Sequence, residues 1–174
     1  MLAYAGGDAG SFEVLYRRHK DALYRYLLRG TESADAAADL FQDVWRKLID
    51  ARARYRPDAP FTAFLFKLAH NRLVDHWRMA RPATAVPDDL PAPAHERPDE
   101  TTQRQDAARR LLNALAALPV EQREVIVLRE ERDLTLEQIA EIQGVGRETV
   151  KSRLRYALAK LRDACPELAE ESPP

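Results

Sequence analysis

Five of the chain's 11 prolines fall within residues 81–100, at Pro82, Pro87, Pro91, Pro93 and Pro98, in a stretch without apolar periodicity. Proline fixes φ and removes a backbone donor, so such a run propagates neither a helix nor a sheet ladder. The segment predicts an extended linker, and the fold must be built from the blocks on either side. In both blocks apolar residues recur every three or four positions, the period of an α-helix, without alternation of useful length. An all-α chain of two small helical domains is therefore expected. Helices are predicted near 9–29, 33–54 and 60–79 in the first block, and near 101–117, 120–131, 135–143 and 147–164 in the second. With 174 residues to divide, each domain buries only a modest core.

Charge follows the same division. Residues 1–80 carry 13 Lys/Arg against 10 Asp/Glu, residues 81–103 carry 2 against 5, residues 104–163 carry 12 against 10, and the tail adds three Glu. Two mildly basic blocks thus flank an acidic connector within a net charge of -1. Affinity for phosphate tracks local cations, so DNA binding is allowed, with a weak grip by the isolated chain and help from a partner. No apolar run approaches the ~18 residues that cross a bilayer. The start, MLAYAGGDAG, has no basic leader or cleavable apolar core. The single Cys165 forms no internal disulfide. A cytoplasmic protein without membrane insertion is expected.

The string LTLEQIAEIQGVGRETVKSRLRYALAKLR carries a helix-turn-helix pattern. Thr135 is an N-cap candidate, Leu136, Ile139 and Ala140 share one face, and Gly144 follows the helix end. A small Ala140 permits a close helix crossing, Gly144 can take positive φ, and Val150 can pack into the angle between the helices. On the second helix Val150, Leu154, Ala157, Leu158 and Leu161 form a stripe, and Glu148, Lys151, Ser152 and Arg155 fall on a neighbouring polar face. That face suits the major groove of duplex DNA. The alternative is a plain helical hairpin with solvated charges.

Two further faces lie in the first block. On the helix near 33–54, Leu40, Phe41, Val44 and Leu48 point one way, while Asp35, Asp39, Gln42, Asp43, Arg46 and Asp50 gather on the other. Such an acidic stripe is either a solvated face or a protein-binding one. In FTAFLFKLAHNRLVDHWRMARP the helix is apolar almost all round except where Lys67, His70, Asn71, Val74 and Arg78 align, with His76 and Trp77 near its end. Cations for phosphates, rings for unpaired bases and an amide for a base edge suit single-stranded DNA. A buried helix with a polar seam and a core tryptophan would give the same pattern.

Taken together, FEVLYRRHKDALYRYLLR, ADLFQDVW, FLFKLAHNRLVDHWR, the proline-rich connector, ALPVEQREVIVLR and TLEQIAEIQGVGRETVKSRL resemble, in order and spacing, a bacterial extracytoplasmic-function (ECF) sigma factor of the sigma-70 type. The resemblance spans about residues 8 to 163. It implies sigma region 2 over 8–80, an acidic Pro-rich linker over 81–103 that threads toward the RNA exit path, and sigma region 4 over 104–164. It implies a transcription initiation factor, not an enzyme, whose partners are core RNA polymerase and promoter DNA. On it, Arg147, Glu148, Lys151, Ser152 and Arg155 meet the minus-35 element. Lys67, His70, Asn71, Trp77 and Arg78 meet the minus-10 element, and Asp39, Gln42 and Asp43 meet core polymerase. Ala36, Ala37 and Ala38 stand where many members carry acids, Glu148 replaces a usual glycine, and Tyr156 replaces a commonly basic residue.

Control is expected from an anti-sigma factor or from a Ser/Thr kinase. Thr31 and Ser33 lie at the start of the acidic helix, where a phosphate would favour the helix N-terminus and restore part of the missing negative field. They equally serve as caps alone. A helix-turn-helix regulator that binds duplex DNA without polymerase would account for residues 120–163 but not for the first block. No Gly-rich phosphate loop, nucleophile elbow or HExxH motif suggests catalysis. His19, His70, His76 and His95 lack metal-ligand spacing, and no cofactor or metal is expected.

Overall fold

The computed structural model describes residues 1–80, 103–130 and 132–165, and the predicted linker lies almost wholly outside them, with His95. The described residues are all-α, in the order α1 (Leu2–Ala5), α2 (Gly10–Arg29), α3 (Ala34–Asp50), α4 (Phe61–Ala80), α5 (Gln103–Ala116), α6 (Val120–Glu130), α7 (Leu136–Gln143) and α8 (Arg147–Ala164). They divide into two compact units, one of residues 1–80 with 137–144 and one of 103–136 with 145–165.

In the first unit α2, α3 and α4 pack on one another. Helical periodicity puts Leu23, Tyr26 and Leu27 of α2, Leu40, Val44 and Leu48 of α3, and Leu65, Phe66 and Leu73 of α4 in the core. Tyr26 meets Phe66 edge to face at 5.1 Å. Ser33 caps α3, its hydroxyl accepting from the Ala36 N–H at 3.1 Å. Two departures from the sequence expectation occur here. The helix predicted over 33–54 ends at Asp50, and Arg52–Arg54 form a separate 3-10 turn. Pro57 opposes continuation of the helix through the preceding turn, and Arg52 lies over the Tyr4 ring at 5.3 Å. The short α1 was not anticipated, and it is held by burial of Tyr4, whose ring sits 5.3 Å from Phe12.

The second unit packs α8 against α5 and α6. Leu118, Ile126, Ala157 and Leu161 form its core, flanked by Leu111, Ala114, Leu115, Leu154 and Leu158. The Arg123 guanidinium donates to the carbonyls of Ala116 and Leu118, closing the orphan acceptors after α5. Arg129 donates to the Leu134 carbonyl at 3.0 Å across the turn after α6, where Asp133 adopts a φ of 53°. Cys165 is buried at the end of α8.

Candidate nucleic-acid interface

The predicted helix-turn-helix elements form where expected. Gly144 follows α7 with a φ of 65°, a left-handed conformation that side chains rarely adopt, and Gly146 begins α8 as its N-cap. The Val150 N–H bonds the Gly146 carbonyl at 3.2 Å. Ile139, Ala140 and Ile142 of α7 are buried, as are Val150, Ala157 and Leu161 of α8. Burial of that stripe turns the opposite side of α8 outward: Arg147, Glu148, Lys151, Arg155 and Tyr156 are exposed and Ser152 is half-buried. One Glu148 oxygen lies 3.3 Å from Arg147 and the other 3.9 Å from Lys151, so a single acid is shared by two cations in the first turn. Arg155 faces no such acid in this turn; its guanidinium rests 5.1 Å from the centre of the Tyr156 ring.

On α4 the predicted strip divides. Asn71 and Arg78 are exposed, whereas Lys67, His70 and Trp77 are half-buried. The Lys67 ammonium donates to the Glu141 carbonyl. The Trp77 indole N–H donates to the Gly30 carbonyl at 2.8 Å, and His76 lies 3.3 Å from a Glu32 oxygen. Both tie the end of α4 to the turn before α3, so Trp77 carries a structural bond whatever its ring contacts.

The acidic stripe of α3 also separates into two kinds of residue. Asp39 and Gln42 are exposed. Asp43 is engaged at both oxygens, by Arg46 at 3.2 Å and by Arg72 of α4 at 2.9 Å. Arg72 also reaches Asp75 at 3.2 Å, and its side chain is only 19% exposed. Asp43 therefore braces α3 against α4 as well as adding charge to the stripe. At the start of the same helix, the Thr31 hydroxyl lies 3.1 Å from the Leu27 carbonyl and 3.2 Å from that of Ser33.

A cluster missed by sequence reasoning lies between α3 and α4. Tyr55 stands 5.1 Å from Phe64 and 6.5 Å from Phe61, and Phe61 stands 5.1 Å from His19. These rings are half-buried, and Arg54 and Arg56 beside them are exposed. Burial, then the Asp58 charge, raises the Tyr55 phenol pKa. The run Arg-Ala-Arg-Tyr-Arg-Pro was the available signal, an aromatic set among cations.

Comparison with known proteins accounts for most of the chain, and α7, grouped with the first unit, falls within the second family match. Residues 15–82 match the family Sigma-70 region 2, and residues 114–163 match Sigma-70, region 4. The chain is 37% identical to the ECF RNA polymerase sigma factor SigL of Mycobacterium tuberculosis, over 94% of each chain. It is 30% identical to the RNA polymerase sigma factor CarQ of Myxococcus xanthus, over 98% of each. Among solved structures, CnrH in complex with the cytosolic domain of CnrY superposes with a TM-score of 0.64 at 27% identity, covering 97% of this chain and 94% of that one. A helical pair of units, an outward polar face on α8 and these matches along nearly the whole length together place the chain in the ECF RNA polymerase sigma factors of the sigma-70 type.

Proposed function

We propose that this sigma factor binds core RNA polymerase through α3, reads the minus-35 duplex with α8 and engages the melted minus-10 strand with α4. The supporting observation is the outward face of α8, where Glu148, Lys151 and Arg155 are exposed and Ser152 half-buried on the side away from the buried Val150, Ala157 and Leu161, with Arg147 exposed in the first turn. A helix with one dry stripe and a row of donors opposite fits the major groove, in which each good base contact contributes about 1–3 kcal/mol of discrimination. Residues 8–80 serve the polymerase and the minus-10 element, 104–164 the minus-35 element, and 81–103 join them.

Asp39 and Gln42 present the polymerase contact, with Asp43 held in line by Arg72. Asn71 and Arg78, with Lys67, His70 and Trp77, meet the unpaired strand. The rings of Tyr55, Phe61 and Phe64 with Arg54 and Arg56 extend that surface, since stacking platforms flanked by cations hold single strands. The protein acts in the cytoplasm without catalysis of its own, and no described helix is long and apolar enough to cross a membrane. An anti-sigma factor is the expected antagonist, and the similar CnrH is likewise held in a complex, with the cytosolic domain of CnrY. A Ser/Thr kinase acting at Thr31 or Ser33 is the second means of control: the Ser33 cap already favours negative charge at the start of α3.

Reconstitution with core polymerase tests the assignment. Lys151→Ala and Arg155→Ala should each reduce promoter-specific transcription at least about fivefold while core binding persists. Undiminished transcription from both refutes it.

A further inference from the structure

The cations along α8 are not equivalent. Arg147 and Lys151 share the carboxylate of Glu148, at 3.3 Å and 3.9 Å. Arg155 is supported instead by an aromatic face, its guanidinium 5.1 Å from the centre of the Tyr156 ring. Tyr156 is 54% exposed, so the edge of its ring is open on the outside of the helix. Both residues lie on the side of the helix away from Val150, Ala157 and Leu161.

A guanidinium held over a ring face by the cation–π attraction leaves its N–H donors free to point outward. In the major groove that planar fork matches O6 and N7 of guanine. The ring that supports it presents an apolar edge to the next base pair, where the apolar major-groove feature is the 5-methyl group of thymine. We propose that Arg155 and Tyr156 act as one reading unit for a guanine next to a thymine in the minus-35 element, Tyr156 being a specificity-determining residue of this chain. This rests on the assignment of α8 to the minus-35 duplex. The tyrosine acts twice: its face sets the plane of the Arg155 fork, and its edge covers the neighbouring methyl group. The hydroxyl is not needed for either role.

The test uses holoenzyme assembled from the full chain and core polymerase, with promoter duplexes randomised upstream. The parent holoenzyme should select a guanine with an adjacent thymine, and Arg155→Ala should lose the guanine preference by at least about fivefold. Tyr156→Ala should weaken the same preference and also abolish discrimination between thymine and deoxyuridine at the adjacent pair. Tyr156→Phe should retain both. If Tyr156→Ala selects the parent sequence with the parent's thymine-to-uracil ratio, the inference is overturned while the minus-35 assignment stands. If Tyr156→Phe behaves as Tyr156→Ala, the hydroxyl carries the contact and the ring-face account is overturned. A parent holoenzyme with no upstream preference overturns the minus-35 assignment and this inference with it.

Discussion

Replacement of Gly30 by alanine probes how the turn between α2 and α3 docks on α4. A β-carbon there would stand 2.8 Å and 2.9 Å from the two Cδ atoms of Leu73, a separation that demands movement. Leu73 is buried, so its tip has nowhere dry to go. The Gly30 φ of -101° is open to alanine, and no backbone strain is added. Overpacking costs about 1–3 kcal/mol. The reduced entropy of the unfolded chain offsets about 0.4–1 kcal/mol of that. The net expectation is a loss of about 1–2 kcal/mol. Both tryptophans, Trp45 and Trp77, belong to this unit, and Trp77 is bonded to the Gly30 carbonyl. Urea unfolding of the full chain followed by tryptophan fluorescence therefore reports the change. With a slope of about 1–2 kcal/mol/M, the midpoint should fall by about 1 M. Leu73→Ala alone should cost about 2–5 kcal/mol through its cavity. In the double variant the new methyl group has room, so the pair should be at least about 1 kcal/mol more stable than the sum of the singles. A Gly30→Ala midpoint at or above the parent's, with an additive double variant, refutes the close-approach account.

Two further outcomes follow from the first unit. Asp39→Ala and Gln42→Ala should weaken core-polymerase binding with the urea midpoint unchanged, whereas Asp43→Ala should lower both, because it strips Arg72 of its partner at 2.9 Å. With Asp43 still 32% exposed, the stability loss should be about 1–2 kcal/mol, below that of a fully buried pair, and an unmoved midpoint would count against the brace. Asn71→Ala should impair promoter opening more than closed-duplex binding, and a permanganate footprint with normal thymine reactivity would contradict that role.

The features legible in the sequence are those carried by short spacings. Gly144 announces the turn before α8 because a positive φ there suits a residue without a side chain, and the apolar stripe of α8 follows from helical periodicity alone. Ser33 was visible as a cap for the same reason. What was not legible depends on residues brought together from afar. Asp43 and Arg72 are 29 positions apart, and only the packing of α3 on α4 reveals that an apparent surface acid is a brace. Helix α1 is four residues long, too short for any period, and exists because Tyr4 finds Phe12 and Arg52. The run at 52–57 marks Tyr55 as a ring among cations, but that it joins Phe61 and Phe64, and through Phe61 His19 of α2, is revealed only by packing. The Trp77 indole looked like a stacking group from composition, yet its N–H is spent on a backbone carbonyl of a distant turn.

The carboxylate of Glu148 has a consequence for how the factor is distributed in a cell. A chromosome offers about 10⁶–10⁹ competing non-specific sites, all presenting the same phosphate charge. Retention on them grows with each cation that displaces counterions. With α8 as the proposed recognition helix, Glu148, standing between Arg147 and Lys151, should lower its attraction for any phosphate row while leaving donors for base edges. On the assignment of α8 proposed above, the free factor should then be held less tightly by bulk DNA and be freer to meet core polymerase.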